Sequence, residues 1–303
     1  MAIRKAVIAV AGYGTRFLPA TKAVPKELLP IVDRPVVQYL VEEAVASGVE
    51  NVILVTREGT QAVADHFDSS RELEAHLAEQ GESKRGYLDA IRRLPELANI
   101  AVVRQGRHLP YGNGSPLLAA KSFLDKDEPF VYMFGDDLVW SEKPCVKQLI
   151  DLYEKHQPDA VIAFQEMPFP EACRYGLASL KPGTDPPELE WIVEKPSPEE
   201  APSNLAQLGR FVLPWRVIDI LEDMEPDKDN ELYLTNANDK LCREGRVLVH
   251  AIEGKWYTTG DPLRFLKTNV EYAARDETIG REFREYLRSE ELRAYLQNVD
   301  RQS

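Results

Sequence analysis

Residues 9–30, AVAGYGTRFLPATKAVPKELLP, gather Gly12, Gly14, Thr15, Arg16, Lys22 and Lys26 directly behind the apolar run AVIAVA. Glycine lets a backbone turn tightly and bring its N–H groups close to a ligand. A guanidinium grips phosphate oxygens with a fork of donors, and a lysine adds a mobile point charge. In a chain of formal net charge −13, cations concentrated there point to an anion. The site it implies is the carboxyl end of a first strand, where open α/β sheets bind their ligands. A dinucleotide fingerprint would need glycine at position 17, where Phe17 stands, and a P-loop would need Gly-Lys-Ser/Thr, which is absent. Both of those sites are excluded.

Two further clusters carry chemistry. Gly135-Asp136-Asp137 ends the apolar run FVYMF, and adjacent carboxylates there are hard oxygen ligands suited to Mg²⁺ beside substrate phosphates. Glu194-Lys195 closes the run LEWIV. Consecutive side chains of a strand face opposite ways, so only a strand that ends there, as Pro196 suggests, lets both face one site.

The segment AGYGTRFLPATKAVPKELLPIVDRPVVQYLVEEA resembles the N-terminal region of the sugar-nucleotide pyrophosphorylases, in particular the bacterial UTP–glucose-1-phosphate uridylyltransferase family. The likeness recurs in order through RQG (104–106), GDD (135–137), YG (175–176), VEKP (193–196), SNLAQLGRFVL (203–213) and NELYLTNA (230–237). It implies a Mg²⁺-dependent uridylyl transfer from UTP to a sugar 1-phosphate, with glucose as the sugar. Ala11 and Gly12 would then face the nucleoside, with Gln105 on the uracil edge and Gly112 assisting through its backbone. Gly14, Thr15, Arg16 and Lys26 would cradle the triphosphate, and Asp136 would hold the metal. Gly176, Glu194 and Glu231 would meet the sugar, and Lys195 its phosphate. The catalytic set is Arg16, Lys26, Asp136 and Lys195. Such enzymes are commonly homo-dimers or homo-tetramers, and the C-terminal helices are plausible interface elements.

The chain departs from that pattern twice. After RQG the connection is lengthened, and Ser115-Pro116 replaces His-Ala; Ser115 as N-cap and Pro116 as first helical residue would start a helix well. In GKWYTTG (254–260) Thr258 stands where the family places a second metal-binding Asp, with Asp261 three residues beyond. A nucleotide-sugar-binding paralogue with weak or no turnover is the alternative that Thr258 supports. A nucleotidyltransferase for another base or sugar 1-phosphate is a further one.

Around these clusters the first half alternates apolar runs (AVIAVA, NVILVT, IAVVR, FVYMF) with amphipathic stretches, which predicts βαβ units and a mostly parallel, Rossmann-like sheet with helices on both faces. From about residue 158, strand-like runs joined by Pro- and Gly-rich turns predict a smaller antiparallel, sugar-binding portion, and C-terminal helices follow from Pro262. The expected division is a nucleotidyltransferase domain over 1–275, with a nucleotide-binding half (about 1–157) and a sugar-binding half (about 158–261), and a helical tail over 276–303. The charged end LRSEELRAYLQNVDRQS is expected to fray. An excess of 50 acidic over 37 basic residues argues against a nucleic-acid partner. Three widely spaced cysteines suit a reducing compartment, and no run reaches the roughly 20 apolar residues of a membrane span. A cytoplasmic location is the expectation.

Overall fold

A computed structural model describes residues 2–227 and 230–302. The parallel strands Lys5–Val10, Asn51–Thr56, Asn99–Arg104 and Phe130–Phe134 lie side by side, with Lys5–Val10 between Asn51–Thr56 and Phe130–Phe134. Their apolar runs are continuous because both faces of the sheet are covered. Ala6, Ile8 and Val10 enter one core, and Val7 enters the other. The first core holds helices Val36–Ala46 and Cys145–His156 against the sheet, and the second holds Ser115–Ala120, Arg216–Glu222 and Leu234–Glu244.

The antiparallel part continues this same sheet. Strand Leu205–Leu213 runs against Phe130–Phe134 through its last four residues, pairs with Ala160–Glu166 along both its start and its end, and meets Gly176–Leu180 at Ala206. Leu189–Glu194 extends that edge, and Val247–Ala251 lies parallel to Ala160–Glu166. A nine-stranded mixed sheet results, with helices on both faces. A separate two-stranded ribbon, Asp137–Trp140 against Lys255–Thr258, sets Thr258 opposite Asp137.

Two expectations change. Ser115 is not the N-cap: Gly114 is, and the buried Ser115 hydroxyl instead donates to the Pro110 carbonyl at 2.5 Å, closing the lengthened loop on itself. The chain end forms helix Glu290–Gln302, because Leu292, Tyr295, Leu296 and Val299 keep helical spacing and Ser289 accepts the Leu292 N–H at 3.1 Å as a cap.

Candidate active site

The carboxyl ends of the parallel strands open onto a cavity of about 1230 Å³. Ala11, Gly12, Arg16 and Lys26 of the glycine-rich connection line it, as do Gln105, Gly112 and Asp136. Gly176, Glu194, Lys195 and Glu231 line its other end. Gly14 and Thr15 do not reach the wall. Gly14 instead provides the turn: its φ of 63° is left-handed, and its carbonyl accepts from Phe17 N at 2.9 Å and Thr21 Oγ1 at 2.7 Å.

Asp136 is the focus of the cationic end. Lys26 Nζ donates to Asp136 Oδ2 at 2.7 Å, and the Asp136 carbonyl accepts from Thr259 N at 2.6 Å and Thr259 Oγ1 at 2.9 Å. Arg16 Nη1 reaches the Gly260 carbonyl at 3.2 Å. A methyl group on Gly260 would sit 3.0 Å from Asp136 Oδ2, 3.4 Å from Thr258 Oγ1 and 3.6 Å from Arg16 Nη1, so these groups converge. Burial works to raise the Asp136 carboxyl, but Lys26 and Arg16 outweigh it and hold it below the usual range. Burial works against the Lys26 ammonium too, and Asp136 and Glu27 together leave it raised.

Asp137, one residue on, has a different task. It is buried, its Oδ2 accepts the Gly209 N–H at 2.9 Å, and burial with Asp136 alongside pushes its carboxyl up to about 7. The fully buried Arg210 holds the same turn, donating to the Asp137 carbonyl at 2.8 Å and to Glu43 Oε2 at 2.7 Å. Asp261 is committed as well. It caps helix Pro262–Arg275 through Arg264 N at 3.0 Å and pairs with Arg264 Nη1 at 2.7 Å. All three of these acids line the cavity, but Asp137 and Asp261 are engaged by Gly209 and Arg264, which leaves Asp136 as the acid beside Thr258 and Arg16; among the described residues no cluster of His, Cys, Asp or Glu is built to hold a metal alone. One carboxylate fits Mg²⁺ when substrate phosphates complete its shell.

At the other end the strand Leu189–Glu194 stops abruptly. Lys195 takes φ 43°, and its N–H bonds the Tyr175 carbonyl at 3.2 Å. That left-handed residue turns Glu194 and Lys195 to the same cavity, with Lys195 Nζ 3.3 Å from Glu194 Oε1 and 4.7 Å from the Tyr233 ring centroid. Thr235 Oγ1 donates to Glu194 Oε2 at 2.6 Å and accepts from Gln207 Nε2 at 3.2 Å, and Asn238 Nδ2 donates to Gln207 Oε1 at 3.2 Å. Thr235 and Gln207 also line the cavity. They lie in LTNA and LAQLG, where nothing in residue type alone marks them. Gly176 lacks a side chain because Thr235 stands there: a methyl group on it would lie 2.9 Å from Thr235 Cγ2.

The two ends are stitched together. The Tyr111 carbonyl accepts Leu232 N at 2.7 Å, Gly114 N bonds the Leu232 carbonyl at 2.9 Å, and Asn113 Oδ1 accepts Leu234 N at 2.7 Å. Gly112 has φ 125°, and a methyl group on it would lie 2.5 Å from the Leu232 backbone. The lengthened loop therefore closes on Glu231–Leu234 rather than hanging free.

The model of the family described as "Nucleotidyl transferase" matches residues 5–275. The chain belongs to the nucleotidyl transferase family. It is 42% identical over 300 residues to the UTP–glucose-1-phosphate uridylyltransferase of Staphylococcus epidermidis, a match that covers 98% of this chain and 99% of that one. Among solved structures it is similar to a UDP-glucose pyrophosphorylase complexed with UDP-glucose, with TM-score 0.81, 33% identity, and 91% and 100% of the two chains covered. A UTP-bound enzyme of the same type from Acinetobacter baumannii gives TM-score 0.83, 32% identity, and 94% and 99% coverage. The resemblance seen in the motifs is thus borne out over nearly the whole chain, as is the mixed nucleotidyltransferase fold.

Proposed function

We propose that this protein transfers the uridylyl group of UTP to glucose 1-phosphate, giving UDP-glucose and pyrophosphate. The observation that carries this is one cavity with Arg16, Lys26 and Asp136 at one end and Glu194-Lys195 at the other. It lies in a chain that matches a uridylyltransferase over nearly its full length. In this reading Ala11, Gly12, Gln105 and Gly112 receive the nucleoside, and Gly14 and Thr15 shape the triphosphate loop. Glu194, held by Thr235, accepts sugar hydroxyls, with Gly176 and Glu231 alongside, and Lys195 takes the sugar phosphate. The attacking phosphate oxygen is already an anion, so the residues need only align it in line with the α-phosphorus and neutralise charge, Arg16 on the departing pyrophosphate. Asp136 would hold Mg²⁺, which supplies charge neutralisation on phosphate oxygens when bound.

The same reading takes 1–157 as the nucleotide half, 158–261 as the sugar half and 276–303 as a helical tail. Leu263, Leu266 and Val270 expose one apolar face of helix Pro262–Arg275, which suits pairing of copies into a homo-dimer or homo-tetramer. Among the described residues no helix is long and apolar enough to cross a membrane, and the acidic surface disfavours nucleic acid, in keeping with a cytoplasmic enzyme. A pyrophosphate-release screen across nucleoside triphosphates and sugar 1-phosphates with Mg²⁺ tests the substrates. UTP with glucose 1-phosphate should be fastest, and a thymidine triphosphate rate well above it would move the base assignment and implicate loop 107–116. Thr258 favours a second reading, a nucleotide-sugar-binding protein without turnover. That reading requires UDP-glucose binding without catalysis, with Thr258→Asp restoring activity.

A further inference from the structure

Helix Leu234–Glu244 and strand Leu205–Leu213 are joined by three polar side chains: Thr235 and Asn238 are fully buried, and Gln207 is 6% exposed. Their neighbours along the same elements, Leu234, Ala237, Leu241 and Phe211, belong to one apolar core. Replacing both partners of a buried hydrogen bond by apolar groups of like shape is close to neutral. Packing therefore does not account for the two amides.

The hydrogen bonds here can run in one direction alone. The Glu194 carboxylate, paired with Lys195, only accepts, so the single Thr235 hydroxyl hydrogen goes to it at 2.6 Å. Thr235 Oγ1 must then accept from Gln207 Nε2 at 3.2 Å, which turns Gln207 Oε1 to Asn238 Nδ2, also at 3.2 Å. Asn238 Oδ1 ends the chain buried, without a hydrogen-bond partner among the described residues. The sequence keeps that orphaned carbonyl in a network whose other end sets a donor nitrogen beside an acceptor carboxylate. Gln207 lines the cavity with Glu194 and Thr235. Its amide nitrogen carries two hydrogens, and Thr235 takes one.

We propose that Gln207 is a specificity-determining residue at the sugar end, whose second N–H donates to the oxygen of the hexose hydroxyl that gives its hydrogen to Glu194. Donor and acceptor side by side fit one hydroxyl in one configuration. An epimer, or a sugar without that hydroxyl, leaves two buried polar groups unpaired, the situation in which a site rejects an analogue most strongly.

The inference rests on the sugar-end assignment made above, and fluorinated substrates separate the two. A fluorine in place of a hydroxyl can accept a hydrogen bond but not donate one, whereas a deoxy position can do neither. With UTP held constant, kcat/KM is compared for glucose 1-phosphate and its singly deoxy and deoxyfluoro analogues. At one ring position the wild type should use the fluoro analogue several-fold better than the deoxy analogue. Gln207→Met should erase that difference, lower kcat/KM for glucose 1-phosphate by about 10-fold, near the upper end for one neutral hydrogen bond, and leave the KM for UTP unmoved. The double variant Gln207→Met/Asn238→Leu removes both amides, should melt no lower than the wild type and should show the same loss. A residue that merely held Thr235 and Glu194 in place would not move the fluoro-to-deoxy ratio. If that ratio survives in both variants, or the wild type shows no such ratio at any position, Gln207 reads no hydroxyl although the sugar end stands. Glu194→Gln with a wild-type KM for glucose 1-phosphate overturns the sugar-end assignment and this inference with it.

Discussion

The Asp136 end and the Glu194 end of the cavity are built by opposite means. Around Asp136 the contacts are made by cations: Lys26 donates to the Asp136 carboxylate and Arg16 to the Gly260 carbonyl. Each of those cations must change partner when a phosphate arrives. Around Glu194 a chain of side-chain hydrogen bonds, Asn238 to Gln207 to Thr235, ends on the carboxylate, which also pairs with Lys195, itself fixed by a left-handed backbone. That chain already holds Glu194 at the cavity wall. One end is therefore suited to charge that develops during reaction and the other to recognition of a fixed shape, the division between catalysis and binding expected for transfer enzymes.

Substitutions on the two sides should separate in kinetics. The largest effect is expected for Asp136→Asn, which removes the carboxylate that Lys26 holds beside Thr258. Turnover should fall below detection in a pyrophosphate assay while UDP-glucose still binds in calorimetry. Arg16→Ala comes next, with kcat lower by the order of 10²–10³-fold and product affinity little changed, since a contact with the departing group is felt mainly in the transition state. At the opposite end Thr235→Val removes the hydroxyl that donates to Glu194. A lost hydrogen bond to a charged group is worth about 1.5–3 kcal/mol, so the KM for glucose 1-phosphate should rise roughly 10-fold or more with the KM for UTP unmoved. Lys195→Ala should raise that same KM and lower kcat too. If Arg16→Ala and Thr235→Val alter the same parameter, the two ends do not divide the work.

The smallest effect concerns pH and the two adjacent acids. Asp137 is carried from an ordinary 3.8 up to about 7, so between those values the folded state binds a proton that the unfolded chain has released. Stability from this group is full at low pH and is lost as pH rises through that window. Asp137→Asn keeps an acceptor for Gly209 N–H and removes the titration. Melting curves of the variant should gain most on the wild type at pH 8 and clearly less at pH 5. Equal differences at both values would mean that Asp137 does not titrate in that window.

Much of this was readable from residue types. Gly14 fills a left-handed turn that few other residues adopt, and the strands of the first half follow from unbroken apolar runs that only a doubly covered sheet produces. Arg16, Lys26, Asp136 and Glu194-Lys195 stand out because charge beside glycine or at a strand end is unusual. The supporting residues were not legible. Glu43 is one of two acids in an amphipathic helix, and only the tertiary approach of Leu205–Leu213 reveals that it holds Arg210 and, through it, the Asp137 turn. Thr235 and Gln207 are ordinary polar residues until helix and strand meet. Asp261, three residues beyond Thr258, caps helix Pro262–Arg275 and pairs with Arg264, so local chemistry claims it first.

The most direct measurement is the product balance of one reaction: the protein mixed with UTP, glucose 1-phosphate and Mg²⁺, with UDP-glucose and pyrophosphate quantified together by chromatography. The two products should appear in equal amounts, without free UMP, if the cavity serves transfer to a sugar phosphate as proposed. Bound UDP-glucose with no product formed, or UMP in place of UDP-glucose, would contradict uridylyl transfer at this site.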